Sequence, residues 1–148
     1  MKLVTGDIFE DDADAIVIPV NCVGTLGKGL ALEAKKRWPD VEQPYKSACL
    51  HRYLRPGGMW PVAVLEGDVI RPVWLAATKD HWRQPSRSDW VESICQRIGE
   101  VVREHQYSMA VPALGCGLGG LDWAEVLPIM ERHFKDIDVR VYAPREDR

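Results

Sequence analysis

Residues Ala15–Pro19, AIVIP, limit the folding of this chain more than any other segment. Neither parity of the run carries a polar side chain, which is the pattern of a strand buried on both faces. Such a strand needs one layer above it and another below. Lys2–Thr5, Val62–Glu66, Val73–Thr78, Ser108–Leu114 and Val139–Tyr142 read as five further strands. Helical patterns lie between them. In Ser88–Glu104, residues Trp90, Val91, Ile94, Cys95, Ile98, Val101 and Val102 fall on one stripe. Lys28–Trp38 ends in Lys35, Lys36 and Arg37, which suit the negative end of a helix dipole, and Pro39 stops it. Val41–Leu54 carries a less regular helical pattern. Asp122–Phe134 opens with the capping-box spacing of Asp122 and Glu125, and Pro128 is expected to kink it. Strands alternating with helices imply an α/β layered domain around a mostly parallel sheet. In such sheets ligands bind beyond the carboxyl ends of the strands.

Composition excludes several alternatives. A chain of 148 residues and 16.7 kDa fits one domain, which buries roughly 70% of its unfolded surface. With 19 basic and 22 acidic residues the net charge is −3, so bulk electrostatics do not drive duplex binding. A local basic patch can still meet a short single strand. No apolar run approaches the ~18 residues of a spanning helix, and MKLVTGDIFEDD has no signal-peptide core. Cys22, Cys49, Cys95 and Cys116 form no CxxC and no metal spacing with histidine. The expectation is a cytoplasmic protein with reduced thiols, no metal and no membrane contact.

The chemistry is expected in the loops after the strands. After the second strand come Asn21, Cys22, Val23, Gly24, Thr25, Leu26, Gly27, Lys28 and Gly29. Glycines before a helix start allow close backbone approach and expose N–H groups that bind anions. The same loop also suits a plain tight turn, and it is not a P-loop. After the fifth strand come Gly115, Cys116, Gly117, Leu118, Gly119 and Gly120, a second nest of donors. Two such loops on one sheet edge suggest a clamp on a diphosphate. Gly115, Gly117 and Gly120 also satisfy GxGxxG, so a Rossmann-type dinucleotide site is a rival, although too little chain follows the motif.

After the fourth strand come Lys79, Asp80, His81, Trp82 and Arg83. A lysine there suits a nucleophile if desolvated, or is simply solvated. Trp82 and Arg83 suit stacking and pairing with a nucleic-acid strand, or an ordinary exposed loop. Asp7 after the first strand suits an amino-group acceptor, or an Asx turn. Cys22 and Cys116 read as small packing residues.

Together, Thr5-Gly6-Asp7-Ile8, AIVIPVN, the glycine loop and GCGLGG resemble the macrodomain family, in order, along essentially the whole chain. The resemblance implies a three-layer α/β/α macrodomain with a six-stranded mixed sheet, residues 1–148, and ADP-ribose as ligand or product, with no cofactor. NCVGTLGKGLALEAKKRWP, the lysine of ATKDHWR and VPALGCGLGGLDW are similar to the subgroup of DarG antitoxins and the terminal ADP-ribose glycohydrolase. The latter has an aspartate where this chain has Gly119, so DarG is the nearer likeness and no general acid stands out. DarG chains carry a further carboxyl-terminal domain, so a stand-alone form or an excised domain is expected.

That likeness implies removal of ADP-ribose from thymidine bases of single-stranded DNA, reversing a DarT-like toxin. It implies that Lys79 is catalytic, that Asp7 and Ile8 read adenine and that Asn21 lies near the distal ribose. The two glycine loops would hold the diphosphate. Lys28, His81, Trp82 and Arg83 are candidate DNA contacts. A monomer is expected. The alternatives are an ADP-ribose reader without catalysis and an ADP-ribosyl-protein hydrolase.

Overall fold

The structure, a computed structural model, describes residues 1–144. Ala15–Val20 (β2) lies inside a six-stranded sheet with Lys2–Val4 (β1), Met59–Glu66 (β3), Val69–Ala77 (β4), Met109–Pro112 (β5) and Val139–Tyr142 (β6). The order is β1-β6-β5-β2-β4-β3. All neighbours are parallel except β3 and β4, so the sheet is mixed. Alternation along each strand sends side chains to opposite faces. Ile16, Ile18, Val73, Leu75, Val62 and Val64 pack under Gly29–Arg37 (α1) and Glu42–Leu50 (α2). Ala15, Val17, Trp74, Ala76, Met109 and Val111 pack under Ser88–His105 (α3) and Trp123–His133 (α4). Two cores on two faces of one sheet make the three layers.

Several local readings change. The third and fourth strands are longer than their apolar runs and form a hairpin through Gly67 and Asp68, with Glu66 opposite Val69. The second helix is shorter than Val41–Leu54: it stops at Leu50, and Arg52 takes a φ of 57°. Asp122 occupies the cap position of α4, but its side chain makes no capping hydrogen bond, so the expected capping box is not formed. Pro128 lies within α4, which is continuous from Trp123 to His133.

The β2–β5 ladder is brief, with Ala15 opposite Met109 and Ile16 opposite Ala110. Pro19 and Pro112, which have no N–H to offer a neighbour, stand beyond its end. The sheet is open there, at its carboxyl edge.

A partly buried ionic cluster ties the segment before β2 to β6. The Asp11 side chain is only 4% exposed. It accepts from Arg140 Nη1 at 2.6 Å, Tyr142 Oη at 2.6 Å and the Ala13 N–H at 2.7 Å. Burial, followed by this hydrogen bond, pushes the Tyr142 phenol up to about 12. Without Asp11, Arg140 keeps Asp12 at 2.6 Å, so the cost is that of the hydrogen bonds lost by Tyr142 and the Ala13 N–H, about 2 kcal/mol. Asp11→Ala is therefore expected to lower the unfolding free energy in urea by about that amount.

Candidate active site

A cavity of about 1010 Å³ opens at the carboxyl edge of the sheet. Pro19, Val20, Pro112 and Ala113 form its floor where β2 and β5 part. Its size suits an extended organic ligand.

The first glycine loop is shaped by Asn21. That side chain is 8% exposed. Its Nδ2 donates to Thr25 O at 2.9 Å, and its Oδ1 accepts from the Val23 N–H at 3.1 Å. The Tyr45 hydroxyl lies 2.7 Å from the same Oδ1 and 2.8 Å from the Asn21 carbonyl. Burial raises the Tyr45 phenol far above its ordinary value, so it stays a donor. Asn21 borders the cavity, yet most of its polar capacity is spent holding the loop.

The second loop depends on two glycines. Gly115 has a φ of 76°, and a Cβ there would meet Leu121 Cδ1 at 2.6 Å and Val91 Cγ2 at 3.1 Å. At Gly119 a Cβ would lie 2.5 Å from Ser86 Oγ. That leaves no room for a carboxylate, as long as Ser86 keeps its place. Leu118, 64% exposed, reaches across so that a Cβ on Gly29 would touch its Cδ1 at 3.4 Å. The two loops thus approach each other over the cleft.

Lys79 follows β4. The Cys22 N–H donates to Asp80 O at 3.1 Å, which ties the lysine loop to the first glycine loop. Lys79 Nζ lies 3.4 Å from Trp82 O. Partial burial, and then the charge of Lys28, lower its pKa from the ordinary lysine value. Both effects favour the neutral amine. Trp82 is 46% exposed, with the Arg83 guanidinium 4.6 Å from its ring centre and the His81 ring 5.1 Å away.

Of the residues singled out from sequence, Asp7, Ile8, Asn21, Thr25, Gly27, Lys28, Gly29, Lys79, Trp82, Gly115, Cys116, Gly117, Leu118 and Gly119 line this cavity. Gly24, Leu26, Gly120, His81 and Arg83 do not. Leu26 is 3% exposed and anchors its loop in the core. Asp7 Oδ1 accepts from the Phe9 N–H at 3.0 Å, an Asx-type turn capping a short 3-10 helix. Its carboxylate is therefore partly committed to the backbone. The thiols of Cys22 and Cys116 are pushed up to about 12 and about 11, chiefly by burial, which suits packing rather than nucleophilic attack.

Sequence reasoning missed Glu33, Ser86 and Tyr142, which also border the cavity. Glu33 stands one helical turn after Gly29, a spacing that could have flagged it. Ser86 and Tyr142 arrive by long-range folding and leave no local signal. Ser86 Oγ is buried without a hydrogen-bond partner among the described residues. Among those residues no group of three or more His, Cys, Asp or Glu side chains converges as a metal site would require, and no helix is long and apolar enough to cross a membrane.

A three-layer fold with two glycine loops over the open edge of a mixed sheet defines a macrodomain. The chain matches the Macro domain family over residues 17–130 and belongs to it. It is 37% identical over 144 residues to the DNA ADP-ribosyl glycohydrolase of Mycobacterium tuberculosis, covering 95% of this chain and 41% of that protein. The chain therefore spans about two-fifths of the length of that relative. The macrodomain of Mycobacterium tuberculosis DarG superposes with a TM-score of 0.90 at 36% identity, covering 97% of both chains. Thermosipho africanus DarTG in complex with ADP-ribose gives 0.89 at 36% identity, covering 99% of this chain and 42% of that one. The likeness to DarG read from the motifs thus extends across both sequence and structure.

Gly115→Ala combines a positive φ with crowding against Val91 and Leu121. It is expected to cost about 2 kcal/mol, read as a lower unfolding free energy in a urea titration.

Proposed function

We propose that this macrodomain is a DNA ADP-ribosylglycohydrolase that removes ADP-ribose from thymidine bases of single-stranded DNA, with Lys79 as the catalytic group. The observation that carries the reading is Lys79 itself. It is a partly desolvated amine at the border of the cavity, beside a second cation, in a chain similar to DarG macrodomains. The fused DNA ADP-ribosyl transferase and glycohydrolase of Thermosipho africanus, 36% identical to this chain, supports a DarT-like transferase as the activity being reversed.

In this reading the diphosphate lies between the two glycine loops, held by backbone N–H groups. Asp7 and Ile8 border the adenine end, with Tyr142 near them. Asn21 shapes the loop beside the ribose. Positioning the sugar in this way lowers the entropic barrier to attack. Neutral Lys79 Nζ then bonds to the ribose carbon that bears the base. The carbon–nitrogen bond to thymine breaks, and its electron pair leaves with the ring nitrogen. The proton lost by the amine balances the one the thymine nitrogen takes up. Ring opening converts the glycosylamine to a Schiff base, and one water releases ADP-ribose and restores the lysine. No step calls for a metal. Trp82, with Arg83 and Lys28, would meet the strand at the mouth. The protein is expected to act as a cytoplasmic monomer.

Lys79→Met is expected to abolish release of ADP-ribose from a modified oligonucleotide. Its urea midpoint at pH 7 should equal or exceed that of the parent, because a desolvated cation has been removed. Full turnover by this variant would sink the lysine mechanism. Cleavage of ADP-ribosylated glutamate peptide but not DNA would reassign the substrate, and tight ADP-ribose binding with no release from either would make the protein a reader.

The pH profile offers a second check. A lowered lysine pKa means that the rate rises with pH at a lower pH than for an ordinary amine. Lys28→Gln removes the neighbouring charge, so this rising limb is expected to move to higher pH. An unmoved limb would separate Lys28 from the chemistry.

A further inference from the structure

We propose that the aromatic stack of His51, Tyr53 and Trp60 is a second platform on which the single strand beyond the modified base is held; this rests on the DNA substrate proposed above. The rings of His51 and Tyr53 have centroids 5.4 Å apart with 15° between planes. Tyr53 and Trp60 repeat the spacing at 5.4 Å and 17°. Tyr53 is 62% exposed. Tyr53 is the middle ring and holds the stack in order, and an unpaired base extends such a stack at the free face of an end ring.

The platform is built into the fold. Arg52 adopts a φ of 57°, and the Tyr53 and Leu54 N–H groups both donate to Ala48 O, at 2.9 and 3.2 Å. Leu54 is buried, and Trp60 packs on the core under α1 and α2. Charge points the same way. Between Glu42 and Glu66 the sequence contains Lys46, His51, Arg52 and Arg55 and no acidic residue, in a chain of net charge −3. Among the described residues neither Arg52 nor Arg55 forms an ion pair; Arg55 Nε donates to Arg52 O at 3.1 Å. Lys46 faces Glu42 at 3.8 Å.

Position completes the case. Trp60 pairs with Leu75, and Gly57 and Gly58 exchange hydrogen bonds with Ala77 at 2.8 and 2.9 Å. Lys79 is four residues beyond Leu75, at most about 13 Å along the chain. The Lys46 stem lies over the first glycine loop, where a Cβ on Gly24 would be 3.5 Å from its Cγ. A cation therefore lies against that loop, on the helix that leads to the stack. Every base has a π-face, so the contact tolerates any sequence, whereas a duplex keeps its bases inside.

The test compares ADP-ribosylated strands of about four and about sixteen nucleotides. Tyr53→Ala should raise KM for the longer strand about tenfold, and Tyr53→Phe should retain the parent value. Affinity for free ADP-ribose should not change. Equal KM values for Tyr53→Ala and the parent on the longer strand would overturn the proposal. If the parent cleaves neither strand, the substrate assignment fails first. Fluorescence anisotropy with an unmodified strand of about sixteen nucleotides at low salt then decides the platform alone. Weaker binding by Tyr53→Ala supports it, and unchanged binding overturns it. A Tyr53→Ala variant that binds both strands normally but no longer binds the transferase would assign the surface to protein and also overturn the proposal.

Discussion

Parallel pairing of β2 with β4 on one side and β5 on the other is the constraint from which the site follows. It directs the carboxyl ends of three strands to one edge, and the loops after them must meet there. The ladder to β5 is brief, and two prolines stand where it ends. The strands part, and the gap becomes the floor of the cavity. The antiparallel β3 extends the same edge outward, because its first residues lie opposite the last residues of β4. Cavity and lysine loop lie at that edge, and Trp60 stands near the start of β3, opposite Leu75.

On the proposed reading, a ligand at that edge is held chiefly by backbone. Glycine loops at a strand end present N–H groups and allow close approach, so a doubly charged ligand can be held without a cluster of basic side chains. This is compatible with a net charge of −3. Among the described residues two cations border the cavity, Lys28 and Lys79, close enough for one to disfavour the charged form of the other. Desolvation is the larger cause. A like-charge neighbour is costly for anchoring a ligand, but it suits an amine that must lose its proton before it can react.

The legible parts of the chain were those with local signals. The doubly apolar AIVIP and the stripe of α3 announced a buried strand and its covering helix through periodicity alone. The glycine loops were visible because glycine is concentrated where the backbone must turn. The hairpin was not, since its strands were read only from the apolar runs that begin at Val62 and Val73; in the fold Pro61 and Pro72, just before those runs, lie opposite Trp74 and Ala63. The capping box at Asp122 had the right spacing, yet its geometry is not adopted. Ser86, Tyr142 and the His51–Tyr53–Trp60 stack depend on contacts between distant segments. Gly119 shows the limit well: the sequence displays the glycine, but only the fold shows Ser86 occupying the space beside it.

The nucleophilic role of Lys79 is tested most directly by trapping. An ADP-ribosylated single strand is turned over in the presence of a mild hydride reductant, and the protein is then mapped by peptide mass spectrometry. Lys79 should carry a reduced ADP-ribosyl adduct, formed only while substrate is present. Undiminished turnover with Lys79 unmodified, or with the adduct on another residue, would contradict the mechanism.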